Sequence, residues 1–184
     1  MTVTGLILAG GQGSRMGGAD KGWIEFEGQS LIQRLLPQLA AQVDHVIISA
    51  NRNTERYAEL GVPVVGDLRA DFAGPLAGIE AALSACTTKW LLTCPVDTLS
   101  LPADYAKNML AQAPAVAWRD CRMQPVFMLI PQSALDALRM FLDSGERKVG
   151  LWAKRQGLAA VTFNQVPLEF ANLNDWQAMQ QAQQ

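Results

Sequence analysis

The sequence has few of the residues on which metal and disulfide chemistry usually depend. It contains three cysteines (Cys86, Cys94, Cys121) and one histidine. The cysteines form no paired CxxC spacing, which argues against a disulfide framework or a zinc site. We expect Cys86 and Cys94 to be small buried residues. His45 starts a predicted strand at the end away from any ligand, and we interpret it as structural.

Long hydrophobic runs and an excess of one charge are also missing. The longest apolar runs, such as 6–9 and 126–130, are too short to span a bilayer. The first residues, MTVTG, lack the basic start of a signal peptide. Fifteen Lys and Arg against seventeen Asp and Glu give a formal charge of −2, which argues against general nucleic-acid binding. We therefore expect a cytoplasmic protein that binds neither membranes nor nucleic acid.

The hydrophobic pattern predicts one α/β domain over residues 1–184. Hydrophobic residues make up 49% of the chain, which is ordinary for a globular protein. Apolar runs alternate with amphipathic segments, which predicts a doubly wound, mostly parallel, Rossmann-like sheet with helices on both faces. The predicted strands are 4–8, 45–49, 62–65, 90–93, 115–118, 125–130 and 159–162. The predicted helices are 30–42, 53–60, 75–85, 102–112, 133–144 and 175 to the end.

A glycine-rich loop follows the first predicted strand, in the stretch LILAGGQGSRMGGADKG (residues 6–22). Backbone N–H groups in such a loop can converge on phosphate oxygens because no side chain blocks the approach. The loop is neither a Walker A sequence nor GxGxxG, since Met16 stands where the third glycine would be. A surface turn is the alternative interpretation. Two cations, Arg15 and Lys21, favour a phosphate site.

Polar residues and glycines follow each of the first four predicted strands. In open α/β sheets, ligands bind outside the carboxyl ends of the strands. The segments after the strands should therefore be functional, and those before them should not. Asp97, just past a buried strand, is a candidate magnesium ligand. Its alternative role is to cap the helix that follows Pro102.

The motif LAGGQGSRMGGADKG resembles the signature loop of nucleotidyltransferases, written roughly LAGGxxxRMGxxDK. Together with GPLAG (residues 74–78) and the short chain, it most resembles the molybdenum cofactor guanylyltransferase (MobA) family, from Gly5 to Asp175. This resemblance implies transfer of GMP from GTP to the terminal phosphate of molybdopterin, with release of pyrophosphate and assistance by Mg²⁺ or Mn²⁺. A relative that uses CTP or a sugar phosphate, and a non-catalytic GTP-binding partner protein, stay open as alternatives. The missing Gly-Lys-Ser/Thr argues against a switch-type GTPase.

The resemblance also implies roles for individual residues. Arg15, Lys21 and Asp97 would act on the phosphates, with Asp97 on the metal ion. Asp67 would accept hydrogen bonds from the N1–H and N2–H groups of guanine. The alternative is a structural role, because aspartate is common in loops that precede a helix starting with proline. The implied nucleotide contacts are Leu8, Ala9, Gly10, Gly11, Gly13, Lys21, Ser49, Asn51, Asp67, Gly74, Leu76, Gly78 and Asp97. Ser49 departs from the family, which often has asparagine there; Asn51 either compensates or shapes the loop.

The C-terminal half is the expected acceptor side. The nucleotide part would cover about residues 1–100 and the acceptor part about 101–184. The resemblance places Arg147, Lys148, Asn172 and Asn174 at the acceptor pocket, whereas a solvated basic pair and a helix cap are the structural alternatives. We expect a monomer whose protein partners are those that deliver molybdopterin or mature molybdoenzymes.

Overall fold

The computed structural model describes residues 2–10, 20–70, 74–163 and 170–172. Gly11, Gly13, Arg15, Asn174 and the predicted helix from 175 lie outside these residues. The strands are β1 (Val3–Leu8), β2 (Glu25–Phe26), β3 (Gln29–Ser30), β4 (His45–Ser49), β5 (Val64–Val65), β6 (Trp90–Pro95), β7 (Ala115–Arg119), β8 (Arg122–Pro131) and β9 (Ala159–Thr162). The α-helices are α1 (Leu31–Ala40), α2 (Thr54–Ala58), α3 (Pro75–Ala85), α4 (Tyr105–Ala111), α5 (Leu135–Asp143) and α6 (Val149–Arg155), and 3₁₀ turns cover Lys21–Trp23 and Gln132–Ala134.

Seven strands form one mixed sheet in the order β5-β4-β1-β6-β8-β7-β9. The pairs β5–β4, β4–β1, β1–β6 and β7–β9 are parallel, whereas β8 runs antiparallel to both of its neighbours. The predicted doubly wound, mostly parallel sheet is confirmed. The chain moves outward from β1 to β5 and then returns to place β6 on the other side of β1. The boundary between β1 and β6 is therefore the switch point at which such sheets bind ligands.

Hydrophobic cores cover both faces of the sheet. One core packs α1, α2 and α4 against the strands, with Leu35, Tyr57 and Met109 among its buried residues. The other packs α3, α5 and α6 on the opposite face, with Ile79 and Trp152 among its buried residues. Because β1 and β6 are covered on both sides, apolar residues point to both faces of these strands and do not alternate with exposed polar ones. None of the helices in the described segments is long and apolar enough to cross a membrane.

Several elements differ from the prediction. Helix α6 and the small hairpin of β2 and β3 were not predicted, because each is short and carries little periodic signal. Strand β8 begins at Arg122, three residues before the predicted start at Pro125. The cause is a tight hairpin with β7, in which Asp120 and Cys121 both have positive φ (51° and 57°). Positive φ at both turn residues matches the twist of the flanking strands.

Candidate active site

The carboxyl ends of β1, β4 and β6 are tied together at one edge of the sheet. The backbone N–H of Ala9 donates to the carbonyl of Ser49 at 2.8 Å. The N–H of Val96 donates to the carbonyl of Leu8 at 3.0 Å. The residue that follows Val96 is Asp97, so these bonds place its carboxylate beside the start of the glycine-rich loop.

Lys21 and Asp97 form an ion pair at this edge. Lys21 Nζ lies 2.8 Å from Asp97 Oδ2, and the two side chains are 38% and 16% exposed. The alternative interpretation of Asp97 as a helix cap is excluded, because α4 begins at Tyr105 and is preceded by Asp104. The structure thus brings together two of the three residues that the sequence assigned to the phosphates, although 76 positions separate them.

Asp20 caps the 3₁₀ turn that begins at Lys21, a role that the sequence did not indicate. Asp20 Oδ1 accepts hydrogen bonds from the Tyr57 hydroxyl at 2.6 Å and from the Gly22 N–H at 3.2 Å. Asp20 Oδ2 accepts from Asn53 Nδ2 at 2.9 Å. A Cβ on Gly22 would overlap the Tyr57 hydroxyl, so only glycine permits this approach. Burial and the bond to Asp20 raise the pKa of Tyr57 well above its usual value, which keeps its hydroxyl a donor.

We expect Tyr57→Phe to lower the free energy of unfolding by about 2 kcal/mol, because hydrogen bonds to a charged group contribute about that much. The KM for the nucleotide, which the resemblance implies is GTP, should also rise, since the turn that carries Lys21 loses part of its support. Chemical denaturation and steady-state kinetics measure the two effects. In Tyr105→Phe the lost bond is to the neutral carbonyl of Thr93 (2.8 Å), so the KM for GTP should not change. An unchanged KM in both variants would separate Asp20 from nucleotide binding.

Asn51 and Asp67 form a second polar pair on the β4 side of β1. Asn51 Nδ2 donates to Asp67 Oδ2 at 2.7 Å, and the Asp67 N–H donates to Asn51 Oδ1 at 2.8 Å. Gly10 lies against them: a Cβ there would be 3.6 Å from Asn51 Nδ2. Asn51 thus shapes the loop and orients Asp67, and its contact with the nucleotide stays a prediction. Partial burial, followed by the charge of Glu80, raises the pKa of Asp67 against the opposing effect of Asn51.

The Asp67 loop is anchored by a buried charge on α3. Arg69 Nε and Nη2 donate to the two carboxylate oxygens of Glu80 at 2.7 and 2.9 Å, and Glu80 is 3% exposed. Arg69 Nη1 also donates to Asp143 at 2.7 Å. This anchor was missed as well. The available signal was Glu80 itself, the single charged residue of α3, because a buried carboxylate requires a partner.

Other predicted nucleotide contacts pack inside the protein. Leu8 and Leu76 are 7% and 0% exposed and belong to the core under α3. Ser49 is 1% exposed and lies against Gly78, where a Cβ would overlap the Ser49 hydroxyl and approach Leu8 Cδ2 to 2.8 Å. Serine therefore suits this position because α3 packs closely on β4. Gly74, with φ 69°, precedes α3 and has open space around it.

We expect Gly78→Ala to destabilise the protein by about 1–3 kcal/mol, the usual cost of overpacking a core. The matched control is Gly150→Ala in α6, where the nearest atom to an added Cβ is Pro125 Cβ at 3.8 Å. That variant should be as stable as the parent or gain up to about 1 kcal/mol from helix propensity. Thermal and urea unfolding of both variants measure the difference. Equal stabilities would contradict the close packing at Gly78.

A cavity of about 300 Å³ lies beside Asp97, on the β8 side of β6. It lies between the turn after β6, the first half of β8 and residues 170–172, which are bound to the turn by the Leu99 N–H to Ala171 carbonyl bond (2.9 Å). Its polar lining residues are Asp97, Thr98, Gln124 and Asn172. The predicted acceptor residue Asn172 thus shares a cavity with Asp97.

The basic pair of the C-terminal half lies outside that lining. Arg147 Nη1 donates to the carbonyls of Leu142 and Glu146 at 2.7 and 2.8 Å, so its guanidinium closes the end of α5. Lys148 is exposed and directly precedes α6. Gln124 was not a predicted residue. The signal for it was Pro125, because proline inside a strand marks a bulge or an edge.

The residues present fit magnesium that is shared with a phosphate ligand. No group of three or more His, Cys, Asp or Glu side chains with a metal-binding arrangement occurs among the described residues. Asp97 would supply one protein carboxylate as a ligand of the magnesium ion. Mg²⁺ typically binds through one or two carboxylates plus substrate phosphates and water, so one carboxylate beside a phosphate loop suits it.

The sheet order and the polar groups at its switch point are those of an α/β protein whose ligand site lies at the carboxyl ends of the strands. Residues 5–157 match the family of MobA-like NTP transferase domains, and the chain belongs to this family. It is 46% identical to the molybdenum cofactor guanylyltransferase of Cupriavidus metallidurans, over 94% of this chain and 90% of that relative. It is 40% identical to the enzyme of the same name from Shewanella putrefaciens, over 97% and 95%.

A solved structure shows the same fold. The molybdopterin-guanine dinucleotide biosynthesis protein A of Archaeoglobus fulgidus superposes with a TM-score of 0.67 at 21% identity, over 87% of this chain and 82% of that one. The resemblance inferred from the glycine-rich motif is confirmed, and so is the nucleotidyltransferase class.

Proposed function

We propose that this protein transfers GMP from GTP to the terminal phosphate of molybdopterin. The acceptor phosphate oxygen forms a bond to the α-phosphorus of GTP, the bond from that phosphorus to the β-phosphate oxygen breaks, and pyrophosphate leaves. One observation carries the proposal. The Lys21–Asp97 pair lies at the switch point of the sheet, with the Asn51–Asp67 pair on one side and the cavity on the other.

The chain's own residues then have distinct roles. Asp67, oriented by Asn51, would accept hydrogen bonds from guanine, and the loop amides would position the triphosphate. Arg15 and Lys21 would neutralise charge as pyrophosphate departs, since transfer between two anions depends on positioning and cations. Asp97 would hold Mg²⁺ or Mn²⁺, which when bound neutralises phosphate charge. No general base is needed, because a phosphate monoester is largely ionised at neutral pH.

The acceptor roles of Asn172, Asn174, Arg147 and Lys148 belong to the same proposal. Asn172 has the firmest support, because it lines the cavity beside Asp97. Four further points stay predictions from the sequence. They are the division into a nucleotide part and an acceptor part at about residue 100, the monomeric state, the cytoplasmic location, and the partners in molybdopterin delivery and molybdoenzyme maturation.

The test is incubation of the purified protein with molybdopterin, Mg²⁺ and either GTP or CTP labelled at the α-phosphate. The expected result is a labelled guanine dinucleotide and free pyrophosphate, with little transfer from CTP. Preferential transfer from CTP, or to a sugar phosphate supplied instead of molybdopterin, would indicate one of the related transferases. Tight GTP binding without any transfer would indicate a non-catalytic GTP-binding partner.

A further inference from the structure

An irregularity in β8 coincides with the cavity beside Asp97. Neighbouring residues of β7, Val116 and Ala117, pair with Met128 and Gln124, which are four positions apart on β8. Residues 125–127 therefore have no partner on β7, and we call them the β8 bulge. All three bulge residues line the cavity, and so does Gln124 at their edge.

The β8 bulge is held by a buried hydroxyl on β6. The Thr93 hydroxyl donates to the Val126 carbonyl and accepts from the Met128 N–H at 3.0 Å, and Thr93 is 0% exposed. The regular β6–β8 ladder ends one residue earlier, at Leu92. A side chain thus replaces a ladder hydrogen bond at this point. Pro125 adds no unpaired donor, because proline has no N–H.

Among the residues that the structure describes, the lining of the cavity has one charged end and is otherwise neutral. Asp97 is the charged residue of this described lining. The β8 bulge and Phe170 supply apolar surface, while Thr98, Gln124 and Asn172 supply neutral polar groups. Carboxamides carry both donors and an acceptor, which suits a ring that has N–H and carbonyl groups on one edge. Apolar walls suit the faces of a planar ring better than a sugar surrounded by hydroxyl groups.

We propose that the β8 bulge, fixed by Thr93, builds the subsite for the heterocyclic part of the acceptor, and that Gln124 is its specificity-determining residue. The proposal rests on the proposed function, because it takes the acceptor to be a pterin that ends in a phosphate. The ring occupies the neutral part of the cavity, and the phosphate extends toward Asp97 and the nucleotide.

The test compares Gln124→Met with the parent protein, because methionine keeps the length of the side chain and removes its hydrogen bonds. Binding of molybdopterin, followed by its pterin fluorescence, should weaken at least about tenfold, in line with the loss of hydrogen bonds worth 1.4 kcal/mol or more. The KM for molybdopterin should rise to a similar extent. The Kd for GTP, measured by calorimetry, should stay within about twofold. Gln112→Met is the matched control, because Gln112 is exposed at the end of α4.

Thr93→Val tests the bulge itself, since it keeps the side-chain shape and removes the hydroxyl. It should weaken molybdopterin binding without affecting GTP binding. Should this variant fail to fold, Gln124→Met still decides the proposal. Molybdopterin binding in Gln124→Met within about twofold of the parent would overturn it.

Failure of the proposed function gives a different pattern. If the parent binds molybdopterin through Gln124 yet transfers no GMP, the subsite assignment is supported and the proposed transfer of GMP is wrong. If the parent does not bind molybdopterin at all, the subsite assignment falls too.

Discussion

Asp97→Asn is expected to lower kcat for GMP transfer about 1000-fold while leaving the fold unchanged. The change removes the carboxylate that would hold the metal ion and leaves Lys21 without its partner at 2.8 Å. Losing one group that stabilises developing charge in an active site costs about 10²–10³ in rate. Steady-state assays over a range of Mg²⁺ and Mn²⁺ concentrations measure the loss, and thermal unfolding checks the fold.

The matched control is Asp104→Asn. Asp104 is an exposed carboxylate seven positions along the chain, where its side chain makes no capping hydrogen bond to α4. Its kcat should equal that of the parent. A kcat within about fivefold of the parent for Asp97→Asn, at the same Mg²⁺ concentration, would remove Asp97 from the catalytic site.

Lys21→Ala is expected to lower kcat/KM for GTP about 100-fold, or about 2.7 kcal/mol of transition-state stabilisation. Both kcat and the KM for GTP should change, because the ammonium group would contact the triphosphate before and during departure of pyrophosphate. The ammonium group of the lysine is held by Asp97, and Asp20 caps the turn in which Lys21 is the first residue. GTP titration and turnover assays separate the effects on binding and on kcat.

An exposed lysine of α6, Lys154, gives the control. Lys154→Ala should keep the kinetics of the parent, which accounts for any general loss of positive charge. Because Lys21 and Asp97 are in contact, the double variant should lose less than the sum of the two single losses. Unchanged kinetics in Lys21→Ala would reduce the glycine-rich loop to a structural turn.

Much of the nucleotide side could be predicted because its signals are local. The observed limits of β1, β4 and β6 lie within a residue or two of the predicted ones. Strands that are buried on both faces form nearly continuous hydrophobic runs, which are easy to recognise in a sequence. The glycine-rich loop, Lys21 and Asp97 all follow such strands. Asp20 could not be assigned from the sequence, because its partner Tyr57 lies on another element, 37 positions away.

The cavity side could not be predicted by the same rule. Residues after parallel strands were expected to be functional and those before strands were not. Strand β8 runs antiparallel to β6, so Gln124 and Pro125, which lie in its first half, are at the ligand edge. Direction of pairing depends on how the hairpin with β7 docks on the sheet, and periodicity carries no information about that.

By itself, the sequence determined the α/β class, through its alternating apolar and amphipathic segments, and the family, through the resemblance of its glycine-rich motif. The phosphate role of the glycine-rich loop stays a prediction. Only the tertiary structure decided that Lys21 meets Asp97, that Asn51 orients Asp67 and that β8 bulges into a cavity beside them. Those contacts join residues far apart in the chain. They form because packing on both faces of the sheet brings the strand ends to a single edge.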